Sequence, residues 1–290
     1  MIVSDGDDPG LECIVSEAEG EALQHAPSGL ALMQAVQQLS KLYHCEATWE
    51  SIKRFRVAAG FDKFTDLCFK ASGIECILMD DLFSSADKVP IPFSWHDRLT
   101  KSKTRRIVRV ETLAENIIKN MDPPDLKKWV EQYLKALIDA AKDPDVVGFK
   151  SVICYRTGLD VDITMRQTLD SKLEIFLQWY TNYKITGSPR LQMKPLNDMI
   201  ANLAVQIAGE YGKPIQFHTG LGDSDILLVT ANPAYLQRLI EAYPKTKFVI
   251  LHSSYPYTRE AGYLATVYDN VYFDFGEAIP MLSPGILFSV

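Results

Sequence analysis

Apolar positions from about residue 74 onward follow two alternating patterns. Short runs of apolar and β-branched residues, typical of strands covered on both faces, alternate with longer segments in which apolar residues recur with the helical period. Strands that alternate with helices favour a mainly parallel sheet. The apolar runs predict six strands: Ile74–Met79, Arg106–Val110, Val146–Ile153, Pro214–His218, Phe248–His252 and Val271–Phe275.

The helical pattern predicts four helices between these strands. Three of them repeat apolar residues on one face: Asp125–Ala141, Ser171–Tyr183 and Pro195–Tyr211. The fourth begins at Asn232. Asn232 suits the N-cap, with Pro233 in the first turn. Gly212 suits the position just past the third helix.

The spacing of apolar residues in 20–72 predicts helices, and this stretch contains no strand pattern. Ser28 is a candidate cap for a first helix, and Trp49–Ala59 and Phe61–Ala71 predict two more. We interpret this stretch as a helical insert or cap, and residues 73–280 as the strand-bearing part of a single domain.

Six parallel strands favour either a β/α barrel or a doubly wound sheet. The doubly wound alternative needs a phosphate-binding loop after a strand, and Gly220-Leu-Gly222 lacks the third glycine of that motif. The sequence therefore predicts an α/β fold of the TIM-barrel type, incomplete because a full barrel has eight strands.

Composition narrows the classes of partner. The chain has 290 residues, of which 47% are hydrophobic, a composition typical of a globular protein. Its net charge of −7 and its pI near 5.3 argue against nucleic acid or an anionic membrane as the main partner. The acidic N-terminus predicts no signal peptide, and no apolar run reaches the ~20 residues of a membrane helix. Five scattered cysteines favour a reducing, cytoplasmic location. Cys76 and Cys154 are predicted to be buried.

Ionisable side chains end three of the predicted strands. His218 and His252 close the fourth and fifth, and Lys150 lies in the third. A β/α barrel builds its active site from residues at the carboxyl ends of its strands, so this pattern suggests a metal-assisted hydrolase. The chain has no His-x-His, and no strand near its C-terminus ends in aspartate.

Five stretches resemble the amidohydrolase-related family, in the branch fused to glutamine-synthetase-like domains in fungal FluG-type proteins. They are Thr48–Ile52, Trp95–Asp97, Val147–Leu159, Pro214–Asp223 and Val249–Ser253. The resemblance implies a metal-dependent barrel whose ligands are a His-x-His pair after strand 1, lysine at strand 4, histidines at strands 5 and 6, and aspartate at strand 8.

Carried over to this chain, the family pattern places Lys150, His218 and His252 at strands 4, 5 and 6. The six predicted strands would then be strands 2 to 7, and the strand 1 and strand 8 ligands have no counterpart. The sequence is expected to be truncated at both ends, or a fragment of a longer fusion protein.

The candidate residues keep alternative roles. His218 and His252 are either metal ligands or hydrogen-bonded polar residues, and Lys150 is a ligand, a carboxylate holder or an ordinary ion-paired lysine. Arg156 either clamps a substrate carboxylate or pairs with Asp160 or Asp162. Asp223 and Glu277 are predicted to bind substrate.

Other candidates carry weaker signals. Four further acidic residues lie at strand ends: Asp80, Asp81, Glu111 and Asp274. Each is a group at the rim of the active site that accepts protons or orients ligands, a helix cap, or a solvated charge. His96 lies on a loop and is more often structural than catalytic.

These features lead to two functional hypotheses. The first is a hydrolase that uses a divalent metal ion, zinc or manganese, to cleave the C–N bond of a small carboxylate-bearing substrate. Lys150, His218 and His252 would be its catalytic residues. The second is a catalytically inactive barrel that serves as a binding or regulatory module. Missing strands would leave exposed sheet edges, so we also expect self-association.

Overall fold

Six short strands form one parallel sheet in the computed structural model, which describes residues 10–80, 91–164 and 169–282. The strand order follows the chain order, and each strand pairs with the next. The strands are β1 Leu78–Asp80, β2 Arg105–Arg109, β3 Val146–Ser151, β4 Ile215–Phe217, β5 Phe248–Ile250 and β6 Val271–Phe273. The predicted order of six parallel strands is therefore confirmed.

The first strand differs most from its prediction. It begins at Leu78 rather than Ile74, and both of these side chains are exposed. Because β1 is at one edge of the described sheet, its outer side has no neighbouring strand to fix the preceding residues. The prediction that Cys76 is buried is wrong, since it is exposed beside the carbonyl of Lys103, whereas Cys154 is buried as predicted.

Ten α-helices occur in the described ranges. They are α1 Gly10–Ser16, α2 Leu30–Tyr43, α3 Trp49–Ala59, α4 Phe61–Ser72, α5 Val110–Lys119, α6 Leu126–Lys142, α7 Leu169–Thr186, α8 Lys194–Glu210, α9 Gln237–Ala242 and α10 Thr258–Val267. The four helices predicted between the strands are present, and residues 20–72 hold helices only, as expected.

Local capping explains where several helices begin and end. The Asn232 carboxamide oxygen accepts from the Ala234 N–H at 2.9 Å, as its cap role predicts, although the first turn is 3₁₀ and α9 begins only at Gln237. Gly212, just past α8, has φ +66°, a conformation that favours glycine. The proposed Ser28 cap is wrong, because Gly29 precedes α2 and no side chain caps that helix.

A helix that was not predicted begins directly after β2. In α5, Val110 occupies the first position, so Glu111 lies in the first helical turn and is only 1% exposed. The apolar run predicted as a strand up to Val110 therefore ends one residue earlier.

The core lies between the sheet and the helices that cover it. Phe149, Phe217 and Phe248 from three neighbouring strands are completely buried, and each such side chain contributes about 1.5–3 kcal/mol by leaving water. The Trp129 indole N–H donates to the Ala114 carbonyl at 3.0 Å, so this large side chain is buried without an unpaired donor.

β1 and β6 form the two edges of the sheet in the described ranges, and self-association through them stays a prediction. Among the helices of those ranges, none has the length and apolarity that a membrane crossing requires.

Candidate active site

A cavity of about 280 Å³ opens at the carboxyl ends of β3 to β6. We call it the cup. Parallel strands bring their carboxyl ends to one edge of the sheet, so residues far apart in sequence meet there. Its lining contains all six residues predicted as site residues: Lys150, Arg156, His218, Asp223, His252 and Glu277.

The two predicted histidines lie side by side in the cup. His218 follows β4 and His252 follows β5, and their ring centroids are 4.5 Å apart with the planes tilted by 57°. The turn after β5 has positive φ from His252 to Ser254. Asp274 holds this turn, because its carboxylate accepts from the His252 N–H at 3.0 Å and its carbonyl from the Ser253 N–H at 2.7 Å.

His218 is a neutral imidazole with one nitrogen already engaged. Its Nε2 lies 2.6 Å from the Leu221 carbonyl and 2.9 Å from the Tyr155 hydroxyl. Since a carbonyl oxygen only accepts, Nε2 carries the proton and Nδ1 keeps the lone pair. Burial, followed by repulsion from His252, lowers the pKa of His218 to about 3.

His252 faces an acidic partner on one side. Its Nδ1 is 2.7 Å from a carboxylate oxygen of Glu277, close in distance but poorly aligned for a hydrogen bond. This contact with His252 is the main reason why the pKa of Glu277 is lowered. The His252 Nε2 is buried and has no hydrogen-bond partner in the described part of the chain.

An acidic residue from the N-terminal helices also reaches the cup. Glu17, directly after α1, has φ +56° and lines the cup together with Glu277. Burial, then the neighbouring Glu277 and Asp223, raises the pKa of Glu17 to about 7. Glu19 accepts from the Ser224 hydroxyl at 2.5 Å, which ties the same segment to the rim.

Two cations end neighbouring strands on another side of the cup. Arg109 on β2 and Lys150 on β3 are register partners. Both approach one carboxylate, that of Asp80 on β1, with Arg109 Nε at 2.9 Å and Lys150 Nζ at 3.7 Å. The Asp80 carboxylate therefore links the ends of β1, β2 and β3 at this side of the cup.

Arg156 is held in the wall of the cup by a buried acid. Its guanidinium lies 3.0 Å from Glu115, a residue of α5, and the two side chains are only 9% and 10% exposed. The sequence had left open a surface ion pair of Arg156 with Asp160 or Asp162, and the structure shows the buried pair with Glu115 instead. Arg190, nearby, donates to the Tyr155 carbonyl and to Asp225, both at 2.9 Å.

Several other predicted candidates have structural roles. Glu111 is not a rim group: it is buried and accepts from the Ser151 hydroxyl at 2.6 Å and the Val152 N–H at 3.1 Å. Burial raises the pKa of Glu111. His96 lies in a short 3₁₀ helix, 3.2 Å from the Phe93 carbonyl, and does not line the cup. Asp81 lies outside the described residues.

Sequence reasoning missed five polar residues that line the cup: Glu17, Arg109, Tyr155, Arg190 and Asp225. Arg109 ends β2, so the same strand-end rule that found Lys150 could have found it. Glu17 has no such signal, because its place depends on how α1 packs.

The donor atoms of the cup do not make a closed metal centre. In the part of the chain that the structure describes, no three His, Cys, Asp or Glu side chains converge closely enough to hold an ion. His218 Nε2 is already bonded to a carbonyl, and the Lys150 ammonium faces Asp80. Catalytic zinc sites use about three protein ligands, and the described residues supply two imidazoles that fit part of such a site, those of His218 and His252.

Comparison with known proteins identifies the family. The family model described as Amidohydrolase matches residues 127–286, more than half of the chain. The chain belongs to the amidohydrolase family. The matched region contains β3 to β6 and every predicted site residue, whereas Glu17 and Arg109, which also line the cup, lie outside it.

Two individual proteins extend the comparison. The chain is 43% identical to the protein fluG of Emericella nidulans, in an alignment covering 94% of this chain and 34% of that protein. It therefore spans about a third of the length of this curated relative. A crystal structure from Lactobacillus casei ATCC 334, of a protein described as a metal-dependent hydrolase, is similar with a TM-score of 0.77 and 26% identity, over 97% of this chain and 72% of that chain. The fold is of the amidohydrolase TIM-barrel type.

Proposed function

We propose that the cup binds a small carboxylate-bearing substrate and hydrolyses a C–N bond of the amide kind. The observation that carries this proposal is the pair of imidazoles at the ends of adjacent strands, in one cavity with several cations. Membership of the amidohydrolase family supports the reaction class, and the similarity to a metal-dependent hydrolase supports a divalent ion.

The cations of the cup are suited to hold the substrate carboxylate. Arg156 is fixed by Glu115, so its guanidinium is preorganised, and Lys150 and Arg109 both approach the carboxylate of Asp80. A carboxylate placed here gains charge-assisted hydrogen bonds in a partly dry site. Asp223 and Glu277, on the other side, would orient the rest of the substrate.

His252 is suited to move a proton at the scissile bond. Glu277 faces Nδ1 of His252, which leaves Nε2 of that ring for a proton from an attacking water. His218 remains uncharged near neutral pH because of its low pKa, so it offers a lone pair but neither takes up a proton nor supplies positive charge.

The hydrolase proposal includes zinc or manganese as the divalent ion, with the imidazoles of His218 and His252 as its proposed ligands. Lys150 would be a ligand only in an uncharged form, since an ammonium has no lone pair. Imidazole nitrogen suits zinc, and carboxylate oxygen suits manganese. The decisive experiment measures the metal content of the purified chain by mass spectrometry after incubation with either ion and removal of the excess. We expect about one bound ion per chain, reduced in His218→Ala and unchanged in the control His25→Ala, whose histidine is exposed outside the cup.

A second candidate function is favoured by one observation. Because the described side chains form no three-ligand group, the chain could bind its ligand without hydrolysing it. In that case, carboxylate amides would raise the melting temperature while the chain takes up no ion and releases no ammonia. Metal uptake with ammonia release supports the hydrolase; ligand binding with neither supports the binding module.

A further inference from the structure

The side-chain hydroxyl of Tyr155 lies in the wall of the cup, next to His218. Tyr155 lines the cup, and so do three residues around its hydroxyl: His218, Gly222 and Asp223. The tyrosine ring stands at 60° to the His218 ring, with the two centroids 4.6 Å apart. This hydroxyl is therefore placed at the cavity and not in the core behind it.

Two N–H groups donate to the hydroxyl oxygen of Tyr155. Nε2 of His218 carries a proton, because it lies 2.6 Å from the Leu221 carbonyl, which can only accept. In the 2.9 Å contact between Nε2 and the hydroxyl, the imidazole is therefore the donor, and its proton is shared between the two oxygens. The backbone N–H of Asp223 is the second donor, at 3.2 Å. Both lone pairs of the hydroxyl oxygen are thus in use.

The hydroxyl proton of Tyr155 has no acceptor in the part of the chain that the structure describes. Its two hydrogen-bonding neighbours there, His218 Nε2 and the Asp223 N–H, are both donors and cannot take it. A phenol keeps its proton at neutral pH. The O–H is therefore a donor that a group entering the cup can satisfy.

Neighbouring segments fix the position of this donor. The Tyr155 N–H donates to the Val152 carbonyl at 3.0 Å, and the Tyr155 carbonyl accepts from Arg190 at 2.9 Å. Gly222 leaves the room that the hydroxyl occupies, because a Cβ there would come within 2.0 Å of it. A donor that is already held in place loses little freedom when a ligand binds, so its hydrogen bond contributes more to affinity.

The next residue along the same turn offers a second donor to the cup. The side chain of Arg156 is only 9% exposed and lines the cavity, and its Nε has no hydrogen-bond partner in the described ranges. Tyr155 and Arg156 thus present one uncharged and one cationic donor to the same cavity. A ligand that carries a carboxylate and an uncharged carbonyl oxygen matches this pair.

We propose that Tyr155 is a specificity-determining residue of the cup, whose O–H donates a hydrogen bond to a carbonyl oxygen of a ligand that bears its carboxylate at Arg156. This proposal rests on the carboxylate-binding function proposed above and adds the contact to the carbonyl oxygen. Because the lone pairs of the hydroxyl are in use, the position selects an acceptor. A ligand N–H in the same place finds no lone pair on this oxygen.

Matched pairs of ligands isolate the carbonyl oxygen. 5-Oxohexanoate carries a carboxylate and a ketone oxygen, and 5-methylhexanoate has a methyl group in place of that oxygen. 4-Oxopentanoate and 4-methylpentanoate form the same pair one carbon shorter. None of the four has a C–N bond to hydrolyse, so dissociation constants can be measured at equilibrium by calorimetry on the full chain.

Tyr155→Phe is the decisive variant. For the better-binding pair, we expect the ketone to bind about three- to tenfold more weakly than to the parent chain, as the loss of one hydrogen bond between uncharged groups predicts. The methyl analogue should bind with unchanged affinity, because it makes no such bond. The carbonyl stretching frequency of the bound ketone should also be higher in the variant.

Two further variants control for indirect effects. Arg156→Met should weaken both members of a pair by the same factor, because both carry the carboxylate. Tyr235→Phe removes the hydroxyl of an exposed tyrosine outside the cup and should change neither affinity.

The outcomes distinguish this proposal from the proposed function. If Tyr155→Phe weakens both members of each pair equally, or neither, the hydroxyl makes no contact with the carbonyl oxygen and the proposal is overturned, while carboxylate binding stands. A loss confined to the ketone, in a chain that takes up no ion and releases no ammonia from carboxylate amides, supports Tyr155 and rejects the hydrolase. If no member of either pair binds to the parent chain, carboxylate binding and the role of Tyr155 are both wrong.

Discussion

The pair formed by Arg156 and Glu115 provides a sharp test, because it separates a structural role from a binding role of the same residue. Arg156→Met removes the guanidinium but keeps an apolar side chain of similar length. Glu115 then stays in place, 10% exposed, with the Leu191 N–H at 2.9 Å as its remaining hydrogen-bond donor in the described ranges. The variant therefore leaves a carboxylate buried without its cation.

The expected cost follows from this burial. Removing one partner of a buried ion pair costs about 3–5 kcal/mol, because the remaining charge is uncompensated. Since the Leu191 N–H still solvates the carboxylate, we expect the lower end, about 3 kcal/mol. For a chain of this size that loss lowers the melting temperature by roughly 6–12 °C.

The loss should depend on pH with a definite sign. Burial raises the pKa of Glu115, and Arg156 opposes this increase, so the variant raises the folded-state pKa further above its ordinary value. A carboxyl group with a raised folded-state pKa binds more protons when folded, so its destabilisation grows as the pH rises through that window. Arg156→Met should lose less stability at pH 5 than at pH 8.

The double variant Arg156→Met with Glu115→Gln is the matched control. Glutamine keeps an acceptor for Leu191 and removes the charge, so urea unfolding should return stability to within about 1 kcal/mol of the parent chain. Ligand binding should remain weak in the double variant, because the guanidinium is absent. If the double variant is as unstable as the single one, or if it binds carboxylates like the parent, the argument from this pair is refuted.

Two further predictions concern the rest of the cup. A Cβ at Gly222 would come within 2.0 Å of the Tyr155 hydroxyl and 2.9 Å of His218 Nε2. Gly222→Ala should therefore displace Tyr155 and lower the free energy of unfolding by more than Tyr155→Phe, which loses the hydrogen bonds of the hydroxyl with His218 Nε2 and the Asp223 N–H, about 1 kcal/mol each. Equal losses would contradict the clash. Glu17 has an ordinary pKa of 4.5 and a folded-state pKa of about 7 beside Glu277, so stability should fall as the pH rises between these values and level off above them. Glu17→Gln should remove that slope in chemical unfolding at pH 5, 6, 7 and 8, and a slope unchanged by the substitution would reject the assignment.

The positions of the strand-end residues were accessible from the sequence because they depend on short-range rules. A buried strand is an apolar run, parallel strands align their carboxyl ends, and the polar residue that ends each run points to the shared edge. This reasoning placed His218 and His252 in one cavity. It also located Lys150 and Arg156 on the strand and turn that line the cavity.

The first strand shows the limit of the same rules. Its apolar run begins at Ile74, yet the strand begins at Leu78, because an edge strand has a neighbour on one side only and pairing decides its length. Glu111 illustrates a second limit. Its strand-end position suggested a rim group, but a helix starts at Val110 and turns the carboxylate into the interior, where Ser151 and Val152 satisfy it.

By itself, the sequence determined the alternation of strands and helices and the chemistry at the strand tips, since both depend on residues close together in the chain. Tertiary structure alone decided the partners: Glu115 beside Arg156, Asp80 shared by Arg109 and Lys150, and Glu17 against Glu277. These contacts join segments far apart in sequence, so no local periodicity encodes them. They form only when packing brings the helices and strands together, and that packing sets the charge balance of the cup.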